Sequence, residues 1–491
     1  MDPPMKNFEI PKEVTEIISA LMNGGYEAHI VGGCVRDLLL KRESKDWDIA
    51  TGARPEEIQK LFPDSVYENQ FGTVGVKTRS HDPKLIVVEI TTFRKEEKYS
   101  DLRHPDKIEF TKNIEEDLAR RDFTINGIAL SPDGKIIDPF SGQADLGNKL
   151  IRAVGDPEKR FNEDALRLIR AVRFASELGF EIEKETAEAI KKSAPLLDKI
   201  AKERIKDELV KIIMSPGKGA YNGMVQLEEL GLLECVIPEL REGIRVTQNK
   251  HHIYTVWEHN LLALDYAAHK NYPLEIRLGA LLHDVGKPRT KAGDGPDSTF
   301  YNHEVVGAKM TKTLLERLKF STKFVRHVTH LVRYHLFYYN VGEVTEAGIR
   351  RFVRRVGEEN VEDLLKVREA DRIGSGVPKA FPYKLRHLKF MIEKVRRDPT
   401  SPKMLAVGGG EVMKILNIPP GPRIGWILGI LLEEVLDDSK KNGSKYLIER
   451  IKELGELSDE KLKKSAEKAK SHKEEFESGI EAEMKKRYYV K

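Results

Sequence analysis

Residues 29–51 read HIVGGCVRDLLLKRESKDWDIAT, and their order predicts a strand, a glycine turn, a short helix, a loop and a second strand. The apolar run Ala28 to Val31 ends at Gly32-Gly33. Without a Cβ, such a turn lets backbone approach a ligand closely and aims N–H groups at an anion. Arg36 follows one turn into the helix. A helix N-terminus already favours phosphate, and a guanidinium there adds fixed charge and a two-pronged donor. Asp46 and Asp48 flank Trp47. On a strand, residues i and i+2 share a face, so the two carboxylates converge while Trp47 turns away. Converging carboxylates invite a hard cation, and in phosphoryl transfer such a pair holds Mg²⁺. Taken singly, Gly-Gly is a tight turn and Asp-Trp-Asp a solvated strand end; in this order they describe a phosphate and metal site.

The flanking sequence predicts a mixed α/β domain around this stretch. Glu13 to Met22 forms an amphipathic helix stopped at Asn23-Gly24-Gly25. Pro55 opens a second helix, PEEIQKLF, and strands are expected over Thr73 to Thr78 and Leu85 to Phe93. Glu89 interrupts the second of these strands. A carboxylate in an apolar strand is costly unless it is paired or binds a cation, so Glu89 is either a third metal-site carboxylate or the partner of an arginine such as Arg94. After a charged loop, TTFRKEEKYSDLRHPDKIEF, the segment EEDLARRDFTINGIAL sets Arg120, Arg121 and Asp122 before an apolar, helix-compatible run.

GGCVRD followed by DWD resembles the nucleotidyltransferase signature of the class II CCA-adding enzymes and bacterial poly(A) polymerases. The resemblance implies an α/β nucleotidyltransferase head, with a polymerase-beta-like mixed sheet, followed by all-α neck/body, HD and tail domains. Asp46, Asp48 and Glu89 are the implied catalytic carboxylates, with Mg²⁺ at the first two. Gly32, Gly33 and Arg36 would bind the nucleotide. The family's RRDFT-N-A motif falls on Arg121, Asp122 and Asn126, with Gly127 in place of the usual alanine; it implies that Arg121 contacts the nucleotide and that Asp122 and Asn126 lie at the ribose. The charged loop before it corresponds to one that is mobile in the family.

Residues 155–175, GDPEKRFNEDALRLIRAVRFA, predict one helix with Ala165, Leu168, Ile169, Val172 and Ala175 on its apolar face. Glu163, Asp164, Arg167, Arg170 and Arg173 occupy the other side. Asp and Arg at i,i+3 are ordinarily a surface ion pair worth a few tenths of a kcal/mol, but the pair has a second chemical logic. Cytosine and adenine both present an amine beside an unprotonated ring nitrogen; guanine and uracil present a carbonyl beside a ring N–H. A carboxylate can accept from the amine while a guanidinium donates to the nitrogen. The wrong base then leaves buried polar groups unpaired. The family's EDxxR motif matches Glu163, Asp164 and Arg167, and Arg170 and Arg173 would serve the phosphates or the same base.

Nine of the fourteen histidines fall between His251 and His335. Histidine nitrogens and carboxylates from successive helices can hold one or two metal ions. The order His259, His283-Asp284, Asp371 resembles the HD-domain family, which implies metal-dependent phosphohydrolysis with a transition metal or Mg²⁺. His303 and His335 match positions that add ligands in two-metal members.

Composition sets the outer limits. The 491 residues suggest about three domains. The longest apolar run, Ile424 to Leu432, is too short for a membrane span. The start, MDPPMKNFEIPKE, lacks an export pattern, so a cytoplasmic location is expected. Cys34 and Cys235 alone exclude a disulfide framework or a cysteine zinc site. A net charge of +4 permits nucleic acid without demanding it.

The predicted division is a head over 1–150, a neck and body over 151–244, an HD domain over 245–380, a helical tail over 381–457 with a PGPxIG-like turn, and a charged extension over 458–491 that reads as solvated helix or disorder. The implied activity is template-independent addition of C and A to the tRNA 3′ end from CTP and ATP. Poly(A) polymerase or partial CC- or A-adding activity is the alternative within the enzymes. An RNA-binding HD protein with an inactive transferase is the alternative outside them, and intact Asp46, Asp48, Asp164 and Arg167 stand against it.

Overall fold

A computed structural model describes residues 8–469 apart from 45, 70, 71, 98, 100, 101, 103, 104, 250–252, 377–381 and 398–404, together with 471, 486, 488 and 489. Nine strands lie in the head: β1 (Ala28–Val31), β2 (Asp48–Thr51), β3 (Ser65–Asn69), β4 (Thr73–Lys77), β5 (Val87–Thr92), β6 (Arg94–Glu97), β7 (Lys107–Phe110), β8 (Ala129–Leu130) and β9 (Ile136–Ile137). Seven of them form one sheet in the order β3-β4-β5-β2-β1-β8-β9. β2 and β5 run parallel and the other neighbours antiparallel, the mixed sheet expected from the sequence.

Register assigns the faces. Ile30 pairs with Ile49, Ile49 with Ile90, and Ile90 with Val74, so one apolar row crosses four strands. Directly paired residues share a face. This row packs with Val14, Ile17, Ile18 and Leu21 of the helix Lys12–Asn23 and with Ile58 of Pro55–Leu61. Burying each such side chain contributes about 1.5–3 kcal/mol. One residue along, Asp48 pairs with Glu89 and Glu89 with Gly75 on the opposite face. The packing that fixes the isoleucine row therefore also fixes where the carboxylates stand.

Two local expectations are corrected. The run after Asp122 is not helical: Thr124–Asn126 is a single 3-10 turn, and Ala129–Leu130 becomes β8 beside β1. Ile125, Ile128 and Ala129 are fully buried, so sheet pairing overrides helix compatibility. The ends of the charged loop pair as a ribbon, Arg94 with Phe110 and Glu97 with Lys107; its residues 98, 100, 101, 103 and 104 lie outside the described residues.

The chain beyond the sheet is mostly helical, but the neck is not all-α as expected: Leu150–Ile151 and Glu181–Ile182 pair as a short parallel ribbon. Head, neck and the segment to residue 336, with 362–378, form one compact unit, and a continuous buried core runs from Val14 through Leu168, Ile212 and Leu281 to Val332. The stretch 337–361, placed by sequence in the HD segment, groups with 379–491 in a second unit. Within that unit, Val412, Ile427, Leu431, Leu447 and Ile451 build a separate core. Leu462 is fully buried in it and 459–469 are helical. The start of the charged extension is thus core-bound, because Leu462 and Ala469, with Ala466 between them, anchor an otherwise solvated helix. Among the described residues, no helix is long and apolar enough to cross a membrane.

Candidate functional site

Gly32 ends β1 at φ 78° and ψ −133°, a conformation that L side chains rarely adopt. A Cβ there would lie 2.5 Å from Arg121 Nη1 and 3.7 Å from Asp48 Oδ2. The glycine thus lets a guanidinium and a carboxylate meet above the turn. Arg121 ion-pairs with the fully buried Asp117 at 3.6 Å, and its Nε is buried with no hydrogen-bond partner. A buried orphan donor costs about 1–3 kcal/mol, so this arginine is held in place at some expense to the fold.

Asp46 is exposed, Trp47 buried and Asp48 partly buried, the alternation expected of a strand edge. Burial pushes the Asp48 carboxyl above its ordinary value; Arg121 pulls it down and Asp46 pushes it further up. Glu89 stands beside Asp48 across β2 and β5. Carboxylates are the ligand type that a hard divalent cation takes, and the register sets Asp48 and Glu89 on one face of the sheet, but the tight ligand clusters among the described residues lie in the helical region instead. Cys34, in the same turn, is not a nucleophile: it is buried, bonds the Val31 carbonyl at 3.1 Å, and burial pushes its thiol up to about 12.

Around Asp122 a chain of hydrogen bonds ties the head to the neck. Arg36 Nη1 donates to Asn126 Oδ1 at 2.9 Å, and Asn126 Nδ2 donates to Asp122 Oδ1 at 3.1 Å. Asp122 Oδ2 accepts from Arg170 Nε and Nη2 at 2.8 and 2.6 Å. Burial alone would raise the Asp122 carboxyl, yet Arg170 and Asn126 hold it well below the usual carboxylate range. Arg36 also grips Asp37 through Nε and Nη2. The expected nucleotide residues Gly32, Arg36, Arg121, Asp122, Asn126 and Arg170 are thus gathered. Gly33 lies beside them, with a Cβ position 3.7 Å from Arg36 Nη2.

The single helix expected over 155–175 is in fact two, Pro157–Glu163 and Leu166–Leu178. Asp164 is extended at φ −137° and ψ 105°, and its Oδ1 accepts from Leu166 N–H at 3.0 Å. Aspartate competes for backbone donors and so starts helices more readily than it continues them. The break separates the anticipated pair. Asp164 is held by Arg204 Nη1 and Nη2 at 3.3 and 2.8 Å. Arg167 bonds Glu163 at 2.5 Å and the carbonyls of Arg160 and Arg120 at 3.0 Å each. Donor capacity survives these contacts. Asp164 accepts three hydrogen bonds and Arg167 donates three, fewer than the about four lone-pair directions of a carboxylate and the five N–H groups of an arginine. Arg173 pairs with Glu177 and Glu208 at 3.0 and 2.9 Å.

A second constellation lies in the helical region. His259 is in the helix Val256–His269, His283-Asp284 follow Leu274–Leu282, His303 begins His303–Arg317, His335 follows Thr322–Tyr334, and Asp371 is in Val361–Gly374. A Cβ on Gly286 would lie 2.2 Å from the His303 carbonyl, so glycine lets the doublet and His303 approach. Asp284 is central. Its Oδ2 lies 3.1 Å from His259 Nε2 and 3.2 Å from His283 Nε2; its Oδ1 lies 3.3 Å from His303 Nε2 and 3.6 Å from His335 Nε2. Asp371 Oδ1 reaches His259 and His283 at 3.4 and 3.6 Å. The Nδ1 atoms of His283, His303 and His335 each face a backbone carbonyl at 2.7 Å. That partner fixes the tautomer and aims each Nε2 lone pair inward. Burial alone would strip His283 of its proton, but Asp284 and Asp371 hold its value up to about 10, whereas burial pushes His335 below its ordinary value. Two overlapping groups of three ligands, sharing Asp284, fit one or two divalent ions. Two of the nine clustered histidines, His251 and His252, lie outside the described residues.

Arg204, Glu208 and Lys287 join these networks without any motif that marks them in the sequence. Lys287 Nζ lies 2.6 Å from Asp284 Oδ2 and donates to Gln248 at 2.6 Å; its spacing of three from Asp284, one helical turn, was the available signal. Lys287 and His303 also line a cavity of about 300 Å³ with Asn249, Thr299, Phe300 and Tyr301.

Three family models match: the poly A polymerase head domain over 28–152, a probable RNA- and SrmB-binding site of polymerase A over 179–244, and the HD domain over 251–375. The chain is 34% identical to a CCA-adding enzyme of Geobacillus sp. strain WCH70, covering 88% of this chain and 96% of that one. It is 32% identical to a CCA-adding enzyme of Lactococcus lactis, over 92% and 100%. The Bacillus stearothermophilus CCA-adding enzyme, solved in complex with CTP, matches at 29% identity and a TM-score of 0.58, over 92% of this chain and 98% of that one.

Proposed function

The chain belongs to the family of CCA-adding enzymes, and we propose that it extends the 3′ end of tRNA with C and A from CTP and ATP at the cluster around Gly32, Asp48 and Arg121. The observation that carries this reading is the backbone cradle at Gly32, whose missing Cβ leaves Arg121 Nη1 and the Asp48 carboxylate beside the turn. A phosphate beside a guanidinium and a carboxylate that can bind a cation fits such a cradle.

Asp46 and Asp48, with Glu89 beside them, would hold Mg²⁺. Bound there, the ion would neutralise the triphosphate and activate the primer hydroxyl. Arg121 and Arg36 would take the phosphates. Asn126 and Asp122, already fixed by Arg36 and Arg170, would meet the ribose. Asp164 and Arg167 would read the amine and the ring nitrogen shared by cytosine and adenine, with Arg204 holding the carboxylate in place. Because Asp122 and Arg170 form a buried pair whose disruption typically costs about 3–5 kcal/mol, the test belongs at Asp164 and Arg167. Alanine at either position should narrow the preference for CTP and ATP over UTP and GTP by roughly 100-fold, measured as the ratio of kcat/KM values. Unchanged ratios in both variants would place selection elsewhere.

The histidine-aspartate cluster is a second, separate site. His259, His283, Asp284 and Asp371, with His303 and His335, would hold a transition metal or Mg²⁺. The ion would supply the hydrolytic nucleophile and neutralise a phosphate ester. Beside a transferase, such a hydrolase suits damaged or cyclic-phosphate RNA ends that must be trimmed before C and A are added.

A further inference from the structure

Phe174 is absorbed by none of the roles above, although its side chain is buried at 3% exposure in the middle of them. Three guanidiniums surround its ring. The Arg173 Cζ lies 3.6 Å from the centroid, and those of Arg36 and Arg170 each lie 5.2 Å away. The Phe123 ring meets it at 5.7 Å and 78°, edge to face. Arg36 comes from the head helix Gly33–Leu39, whereas Arg170, Arg173 and Phe174 share the neck helix Leu166–Leu178. Three like charges around one point repel. Each has a counter-ion of its own: Asp37 for Arg36, Asp122 for Arg170, and Glu177 with Glu208 for Arg173. An aliphatic side chain would fill the same space without attracting any of them, whereas the negative face of a phenyl ring attracts cations most where water is excluded.

We infer that Phe174 is a positioning residue for nucleotide binding: its ring face holds Arg36 of the head against Arg170 and Arg173 of the neck, so that triphosphate and ribose contacts are ordered before CTP or ATP arrives. The inference rests on the proposed assignment of these arginines to the nucleotide. Phe174 touches no substrate and acts only through them. Its contribution is electrostatic rather than steric, which separates it from an ordinary core phenylalanine.

Fluorination tests that difference, since fluorine withdraws the charge of the ring face and barely changes its size. Mono-, di- and trifluorinated phenylalanine, installed at position 174 of the full-length protein, should raise KM for both CTP and ATP stepwise. The trifluorinated form should reach roughly tenfold, with kcat, tRNA affinity and thermal midpoint nearly constant. A flat KM series would overturn the inference, as would a series in which the thermal midpoint falls in parallel with activity. Arg36→Ala, measured alongside, separates the two levels of the reading. If it raises KM while the fluorinated series is flat, only the role of Phe174 falls; if it too leaves KM unchanged, the nucleotide assignment falls and the inference with it.

Discussion

Asp48→Asn should reduce incorporation of both CTP and ATP by about a thousandfold, corresponding to roughly 4 kcal/mol of lost transition-state stabilisation, and leave the fold intact. The two halves of this expectation have one cause. Asp48 is partly buried near Asp46, and burial pushes its carboxyl up against the pull of Arg121; the charge is a burden to the folded protein that a bound cation would offset further. Asparagine keeps the shape and removes that burden, so the thermal midpoint should hold or rise. Mn²⁺ binding at this site, followed without any turnover, should weaken in parallel. Asp46→Asn should behave alike. Wild-type rates in either variant would remove the carboxylates from the chemistry.

The combined substitution His283→Ala with Asp284→Ala should abolish metal retention and hydrolysis at the second site while CTP and ATP incorporation persists. Asp284 bridges the two ligand groups through separate oxygens, so its loss breaks both. Elemental analysis of the purified protein gives the metal content, and 2′,3′-cyclic phosphate substrates give the activity. Lys287 loses a partner in this variant but keeps Gln248. Asp284→Asn, which preserves shape, serves as the check against unfolding. A wild-type protein that retains no metal there, and hydrolyses no phosphoester across a screen of Mg²⁺, Mn²⁺, Ni²⁺ and Co²⁺, would reduce the cluster to a structural role.

Much of this was legible in the sequence because the relevant physics is local. Period-two alternation separates Trp47 from Asp46 and Asp48, the run Ala28 to Val31 coincides with β1, and Gly32 has the positive φ that its place between strand and helix demanded. The histidine cluster was legible through residue type and order alone. What escaped reading depends on partners far along the chain. Arg204 captures Asp164 across 40 positions and Arg170 reaches Asp122 across 48, so the simple i,i+3 pair of Asp164 and Arg167 is replaced by a tertiary network. The helix break at Asp164 had a signal, since aspartate before Ala165-Leu166 is a competent cap, but the apolar periodicity on both sides concealed it. Ile125, Ile128 and Ala129 suit a helix or a strand equally, and only β1 decides between them.

The cluster at Gly32, Asp48 and Arg121, with Asp164 and Arg167, should add C and A in a defined order. The intact mass of a tRNA lacking its 3′-terminal CCA, measured after reaction with Mg²⁺, CTP and ATP together and separately, decides the point. A product heavier by two cytidylates and one adenylate is expected when both are present, with arrest after the cytidylates when CTP is alone. A long adenylate tail, or an unchanged tRNA mass under every condition, would sink the assignment.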